Sequence, residues 1–251
     1  MLTQITSYKL ISSLSDLASV VSDLDGNYAL GRDIDAGARR FMPIGPINPP
    51  FTGQFDGAGH TISNLTLGAV TGDHGEHGSV RAAHGMFRVI GSGRIVRNLN
   101  LAGSTTESTS LSQFASYGVL AGVNYETVLS DSTAGSINLI TGFNNVTYSG
   151  GLVRCNYGLI ERSSSSVSVA AQYTLGGLVG DNLGRVVSCS LIPAVTSPPD
   201  PTAVAVEVLS VATEVQSRNR MQPVASGTLE PALEATDAQG RPGTKQFGDY
   251  K

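Results

Sequence analysis

An all-β fold, a parallel β-helix in which short strands coil into a solenoid, is the class this sequence predicts, and three observations predict it. Four segments repeat one plan of a Gly, an apolar pair, a turn that usually contains Asn, and a second apolar pair: HGMFRVIGSGRIVRNLNL from His84, GVLAGVNYETVLSDS from Gly118, GGLVRCNYGLIERSS from Gly150 and GGLVGDNLGRVVSCS from Gly176. The apolar anchors Ile62, Val96, Val128, Ile160 and Val186 recur at intervals of 34, 32, 32 and 26 residues, a spacing that belongs to stacked units rather than to a conventional core. Within each unit, three to six strand-like residues lie between Gly, Asn and Ser turns, without the three- and four-residue spacing of helical repeats. Propeller blades need ~40 to 50 residues and lean on aromatic signatures, which a chain with no Trp does not supply.

The elements follow in order. Leu14, Leu17, Val21 and Leu24 keep helical spacing, and Ser13 with Asp16 resembles a capping box. The spacing predicts a short amphipathic helix from near Leu14 to before Gly26, covering the open end of the solenoid. Tyr28 to Leu30 then reads as the strand that enters the first coil. In FTGQFDGAGHTISNLTLG, residues 51 to 68, the glycines are followed by a strand, whereas phosphate-binding loops lead into a helix. Gly57 and Gly59 are therefore expected to form a turn, and the slip in alternation at Asn64 to mark a bulge or bend.

Stacking predicts ladders of like residues. Leu120, Leu152 and Leu178 form one, Val128, Ile160 and Val186 another, and Asn124, Asn156 and Asn182 occupy equivalent turns, where Asn tolerates left-handed backbone and bonds to the coils above and below. Near Pro193 and SPPDP the repeat stops, since proline removes a ladder hydrogen bond. The chain thus divides into a capping segment over 1–26, a β-helix over 27–192, and a Pro-containing tail over 193–251. VAVEVLSVATEV is expected to be a strand or short helix covering the last coil, and the tail beyond about 222 to be disordered.

Composition narrows the function. A formal charge of -4, with Lys only at positions 9, 245 and 251, argues against nucleic acid as a partner, because phosphate binding needs clustered cations. No apolar run is long enough to span a membrane, and the first ten residues lack the basic and apolar regions of a signal peptide. Cys155 and Cys189 have no metal-ligand spacing, and their different repeat positions predict that the thiols do not stack.

Chemistry-bearing residues are few. His60, His74, His77 and His84 fall close together, and GDHGEHGS adds Asp73 and Glu76. Without the fixed geometry of a helical motif, this stretch reads as a wet loop between coils rather than a metal site. Glycoside hydrolysis needs two flanking carboxyl groups, but Asp56, Asp73, Asp131, Glu161 and Asp181 are scattered among coils, while Asp33 and Asp35 suit a turn. Asn64 and Asn145 head glycosylation-type sequons, a pattern common by chance. Tyr117, Tyr125, Tyr148, Tyr157 and Tyr173 recur through the repeats, with Tyr125 and Tyr157 at one repeat position. Exposed tyrosines join apolar contact to a hydrogen-bonding tip, so these two are the candidate ligand-binding residues, against the plainer reading of stacking at turns.

The order YALGRDIDA, FMPIG, FTGQFDGAGHTISNLTL and then GGLVGDNLG units closely resembles GLUG-repeat segments of filamentous-haemagglutinin-like adhesins of bacterial two-partner secretion, over about residues 3 to 190. The copies are imperfect: Arg154 and Glu126 stand where the motif has glycine, and the secretion domain of the full-length family is not recognisable. The resemblance implies a right-handed parallel β-helix, export by a dedicated outer-membrane transporter, and a secreted or cell-surface adhesin. The tyrosine face is expected to contact a host glycan or receptor, and neither catalysis nor a cofactor is expected. The alternatives are a polysaccharide-acting lyase or hydrolase on the same fold, and a structural spacer.

Overall fold

The computed structural model describes residues 7–68, 83–93, 95–106, 116–138, 148–170, 174–191, 194–195 and 205–206. Every strand pairing in it is parallel, and successive coils lie on one another as a parallel β-helix. The first face is a seven-stranded sheet, running from Lys9–Ile11 and Asn27–Leu30 through Gln54–Asp56, Ile95–Arg97, Thr127–Leu129 and Leu159–Glu161 to Arg185–Val187. The second holds Ile34–Asp35, Thr61–Ser63, Asn100–Thr106, Ser132–Asn138, Ser164–Ala170 and Ser190–Leu191. The third holds Phe87–Ile90, Ala121–Asn124, Val153–Asn156 and Val179–Asn182, each approached by a short strand such as Tyr148–Gly150.

Inward side chains form the expected ladders. On the first face Val96, Val128, Ile160 and Val186 lie in register, and all four are buried. Below Val96, however, the partner is Phe55 and then Tyr28, not Ile62. Ile62 belongs to the second face, between Ile34 and Leu101. A constant period selects the wrong residue here because 41 residues separate Phe55 from Val96, against 32 between Val96 and Val128. Aromatic rings fill the wide early coils: Phe51 and Phe87 lie 4.9 Å apart, and Phe55 meets Phe87 edge-on at 5.5 Å. In later coils the inward column of the second face turns to Thr133 and Ser165, both buried. Thr133 donates its hydroxyl hydrogen to the carbonyl of Gly151 at 3.0 Å, so the narrower interior stays hydrogen-bonded.

The N-terminal helix spans Leu14–Ser19 and ends in a 3-10 turn, Val20–Ser22. Ser13 caps it by accepting the Asp16 N–H at 3.1 Å, and Asp16 accepts the Ser12 N–H at 3.0 Å. Leu17 and Val20 are fully buried against the first coil, as a cap requires. The capping segment also contains a strand that its sequence hides, Lys9–Ile11, which pairs with Asn27–Leu30. At the other end, Ala194–Val195 pairs with Ser164–Ala170 of the second face and Ala205–Val206 with Thr174–Gly176, the short strand that approaches the third face, so strand pairing continues past 192. The rest of the tail, Pro193 included, lies outside the described residues.

Candidate functional site

The corner that follows the third face is built by the three asparagines. The Asn124 Nδ2 donates to Asn156 Oδ1 at 2.8 Å, and Asn156 Nδ2 donates to Asn182 Oδ1 at 2.8 Å. Each of the first two also closes its own turn, Asn124 Oδ1 accepting the Glu126 N–H and Asn156 Oδ1 the Gly158 N–H. Asn124 and Asn156 are fully buried. Their expected left-handed backbone is not found. That conformation falls instead at Asn98, Ser130, Arg162 and Ser188, the corner between the first and second faces.

With the asparagines turned inward, the next residue of each turn points out. Tyr125, Tyr157 and Leu183 form this row, and their N–H groups donate to Ile90, Asn124 and Asn156 of the coil below at 2.9, 2.8 and 2.8 Å. All three are exposed, at 43%, 45% and 55%. The rings of Tyr125 and Tyr157 stack with centroids 5.0 Å apart and an interplanar angle of 12°. Partial burial, with Cys155 next in weight, pushes the Tyr157 phenol up to about 12. Leu183 completes an apolar row that sequence reading confined to tyrosines would miss. The repeat position alone would have found it.

Imperfect copies of the motif have local causes. Gly158 packs on the Glu126 backbone and Gly184 on that of Gly158, leaving no room for a Cβ. Glu126 sits over the wider turn at Gly91–Gly93, and its carboxylate accepts the Gly93 N–H at 2.9 Å. Arg154 shares its position with Gly122, Gly180 and Arg88, and both arginines are buried.

The other predicted residues separate from this row. FDGAGH is a turn: Asp56 Oδ1 accepts the Ala58 N–H at 2.8 Å, Ala58 has φ 50° and Gly59 φ 80°. Gly57 lies so close to Asn98 and Leu99 of the next coil that a Cβ would overlap their backbone. Asn64, with φ 58°, supplies the bend after Thr61–Ser63. Tyr117 is not part of an exposed face. It is fully buried with its ring 5.3 Å from that of His84, because its strand Ser116–Tyr117 pairs with Ala83–His84. Tyr173 and the Tyr148 side chain lie outside the described residues, as do His74, His77, Asp73, Glu76 and Asn145.

His60 meets Asp33 at 3.1 Å, and among the described residues no three metal-ligating side chains converge. Asp35 accepts bonds from Gly37 and Asn64. Asp56 is held below the usual carboxylate range: partial burial opposes ionisation, but Ala58, Asn98 and Arg97 outweigh it. Asp131 is buried, and burial pushes its carboxyl well above that range. Cys155 and Cys189 are free and buried, Cys155 on the third face and Cys189 at the corner between the first and second. Among the described residues no helix is long and apolar enough to cross a membrane.

No family model matches the chain. It is similar to halomucin of Haloquadratum walsbyi, 35% identical over 111 residues, a match that covers 38% of this chain and 1% of that protein's length. A crystal structure of a proposed immunoglobulin A1 protease from Bacteroides ovatus aligns over 88% of this chain and 81% of its own, with a TM-score of 0.41 and 14% identity.

Proposed function

We propose that the chain is a segment of a bacterial surface or secreted adhesin of the filamentous-haemagglutinin-like, GLUG-repeat kind, exported by a two-partner outer-membrane transporter. In this reading it works without catalysis or cofactor and offers the row Tyr125, Tyr157 and Leu183 to a host glycan or cell-surface receptor. The observation that carries the reading is that row: three exposed apolar side chains held at one corner of a rigid solenoid. Phenolic edges and hydroxyls beside a leucine suit the mixed apolar and polar surface of a sugar chain. The similarity to halomucin supports a surface or secreted setting.

The test is retention of immobilised glycans by the full chain and by the Y125S/Y157S double variant. The proposal expects retention of at least one glycan class without shortening of its chains, and at least a tenfold weaker affinity in the variant. Unchanged affinity in the variant would remove the row as the binding site, and shortened glycans would make the protein a polysaccharide-acting enzyme. A spacer role has one observation in its favour, since Tyr125 and Tyr157 turn a face to each other. It expects no retention and a lower Tm for the variant.

A further inference from the structure

The same corner also carries an inference that does not depend on ligand binding. Tyr125 and Tyr157 are phenols exposed at 43% and 45%, yet their rings are already in contact. The backbone beneath them is fixed twice, by the N–H bonds to the coil below and by the buried asparagine ladder. The other described tyrosines with described side chains differ: Tyr28 and Tyr117 are buried, and Tyr8 is bound to Gln54 and Arg97. Among the described residues, Tyr125 and Tyr157 are therefore the tyrosines that combine ring contact with access for an oxidant.

We propose that this pair is a modification site, at which a haem peroxidase acting with hydrogen peroxide joins the two rings as dityrosine. Each phenol gives up one electron and one proton to become a phenoxyl radical. The two radicals combine through ring carbons ortho to oxygen, forming one C–C bond. Each coupled carbon then passes its hydrogen to the phenolic oxygen, restoring both aromatic rings. The protein loses two hydrogen atoms, and one peroxide is reduced to two waters. Contact between the rings makes coupling effectively intramolecular, ahead of encounters between molecules. The new bond ties together residues 32 apart in sequence but in adjacent coils, closing a loop in the unfolded chain much as a disulfide does.

The experiment exposes dilute full-length chain to a plant haem peroxidase with hydrogen peroxide, then digests it and weighs the peptides. The expected product is a monomer in which the Tyr125 and Tyr157 peptides are joined with loss of two hydrogens. It shows dityrosine fluorescence and melts several degrees above the untreated chain. Y125F and Y157F, which keep the rings and the fold, should each abolish the product. The proposal is overturned by cross-linked dimers alone, by a thioether between Tyr157 and neighbouring Cys155, by dityrosine formed through other tyrosines, by undiminished yield in Y125F, or by a linked protein with unchanged Tm.

Discussion

Register places Asp131 above Leu99 and below Ser163 in an interior column that ends at Cys189. One carboxylate oxygen accepts the Leu99 N–H at 2.7 Å, while Oδ2 is buried with no hydrogen-bond partner. A charge there would be poorly solvated, which is why burial raises the carboxyl so far. In the unfolded chain the same group ionises near pH ~4. Above that pH the folded state holds a proton that the unfolded state releases, so this residue's contribution to stability falls as pH rises toward the folded value. Asn at this position keeps the acceptor for Leu99 and cannot titrate. Urea unfolding of D131N between pH 4 and 8 should therefore lack the decline of the parent that is due to this residue, and parallel curves for the two proteins would refute a neutral buried acid. Tyr157 offers a second titration. In an ultraviolet pH titration one phenol should ionise near 12 and be missing from Y157F.

The turns and ladders show why particular elements tolerate so little change. Asn156 is bonded on both sides within the wall, so N156A strips a partner from Asn124 and Asn182 at once and should cost about 2–3 kcal/mol. Asn182 is the last of the three, and N182A should cost about 1 kcal/mol. Equal losses in thermal or urea unfolding would count against a ladder. The double glycines answer to close approach rather than to conformation. At Gly150 and Gly176 an added Cβ would overlap the carbonyl oxygens of Val153 and Val179, three residues on. Gly176→Ala should therefore destabilise by about 3 kcal/mol. Gly59 has open space around it and only its φ of 80° to defend, so Gly59→Ala should cost about 1 kcal/mol. These contrasts explain the GGLV signature: the first glycine sits where the chain doubles back against its own carbonyl, and the second, Gly151 or Gly177, packs on Gly177 and Ser165 or on Leu191.

On the scale of the whole molecule, the solenoid is legible where the repeat motif is intact, even where the spacing drops from 32 to 26 residues. From Val96 to Val186 the repeat spacing identified the true partners, because each residue lies directly over its equivalent. It fails at Phe55, which precedes the first of the four motif copies, so that only spacing was left to select a partner for Val96. The strand Lys9–Ile11 escaped notice because two of its three residues are exposed and give no alternation to read. Tyr117 was misplaced because its burial depends on pairing with His84, which no local pattern announces. The tyrosine row was legible as repeat positions, but its stacking and its extension to Leu183 required the coils to be placed on one another.

In-register parallel stacking is the claim on which the site, the ladders and the cross-link all rest, and disulfide trapping tests it most directly. In a background carrying C155S and C189S, Ser132 and Ser164 are neighbours on adjacent coils of the second face, while Ser190 lies one coil further. Adjacent strands are about 4.8 Å apart and coils two steps away about 10 Å, and a disulfide spans Cα separations of about 4.4–6.8 Å. S132C with S164C should oxidise to an intramolecular bridge, whereas S132C with S190C should stay reduced under the same conditions. Bridging of the second pair in preference to the first, or of neither, would contradict the stacked coil.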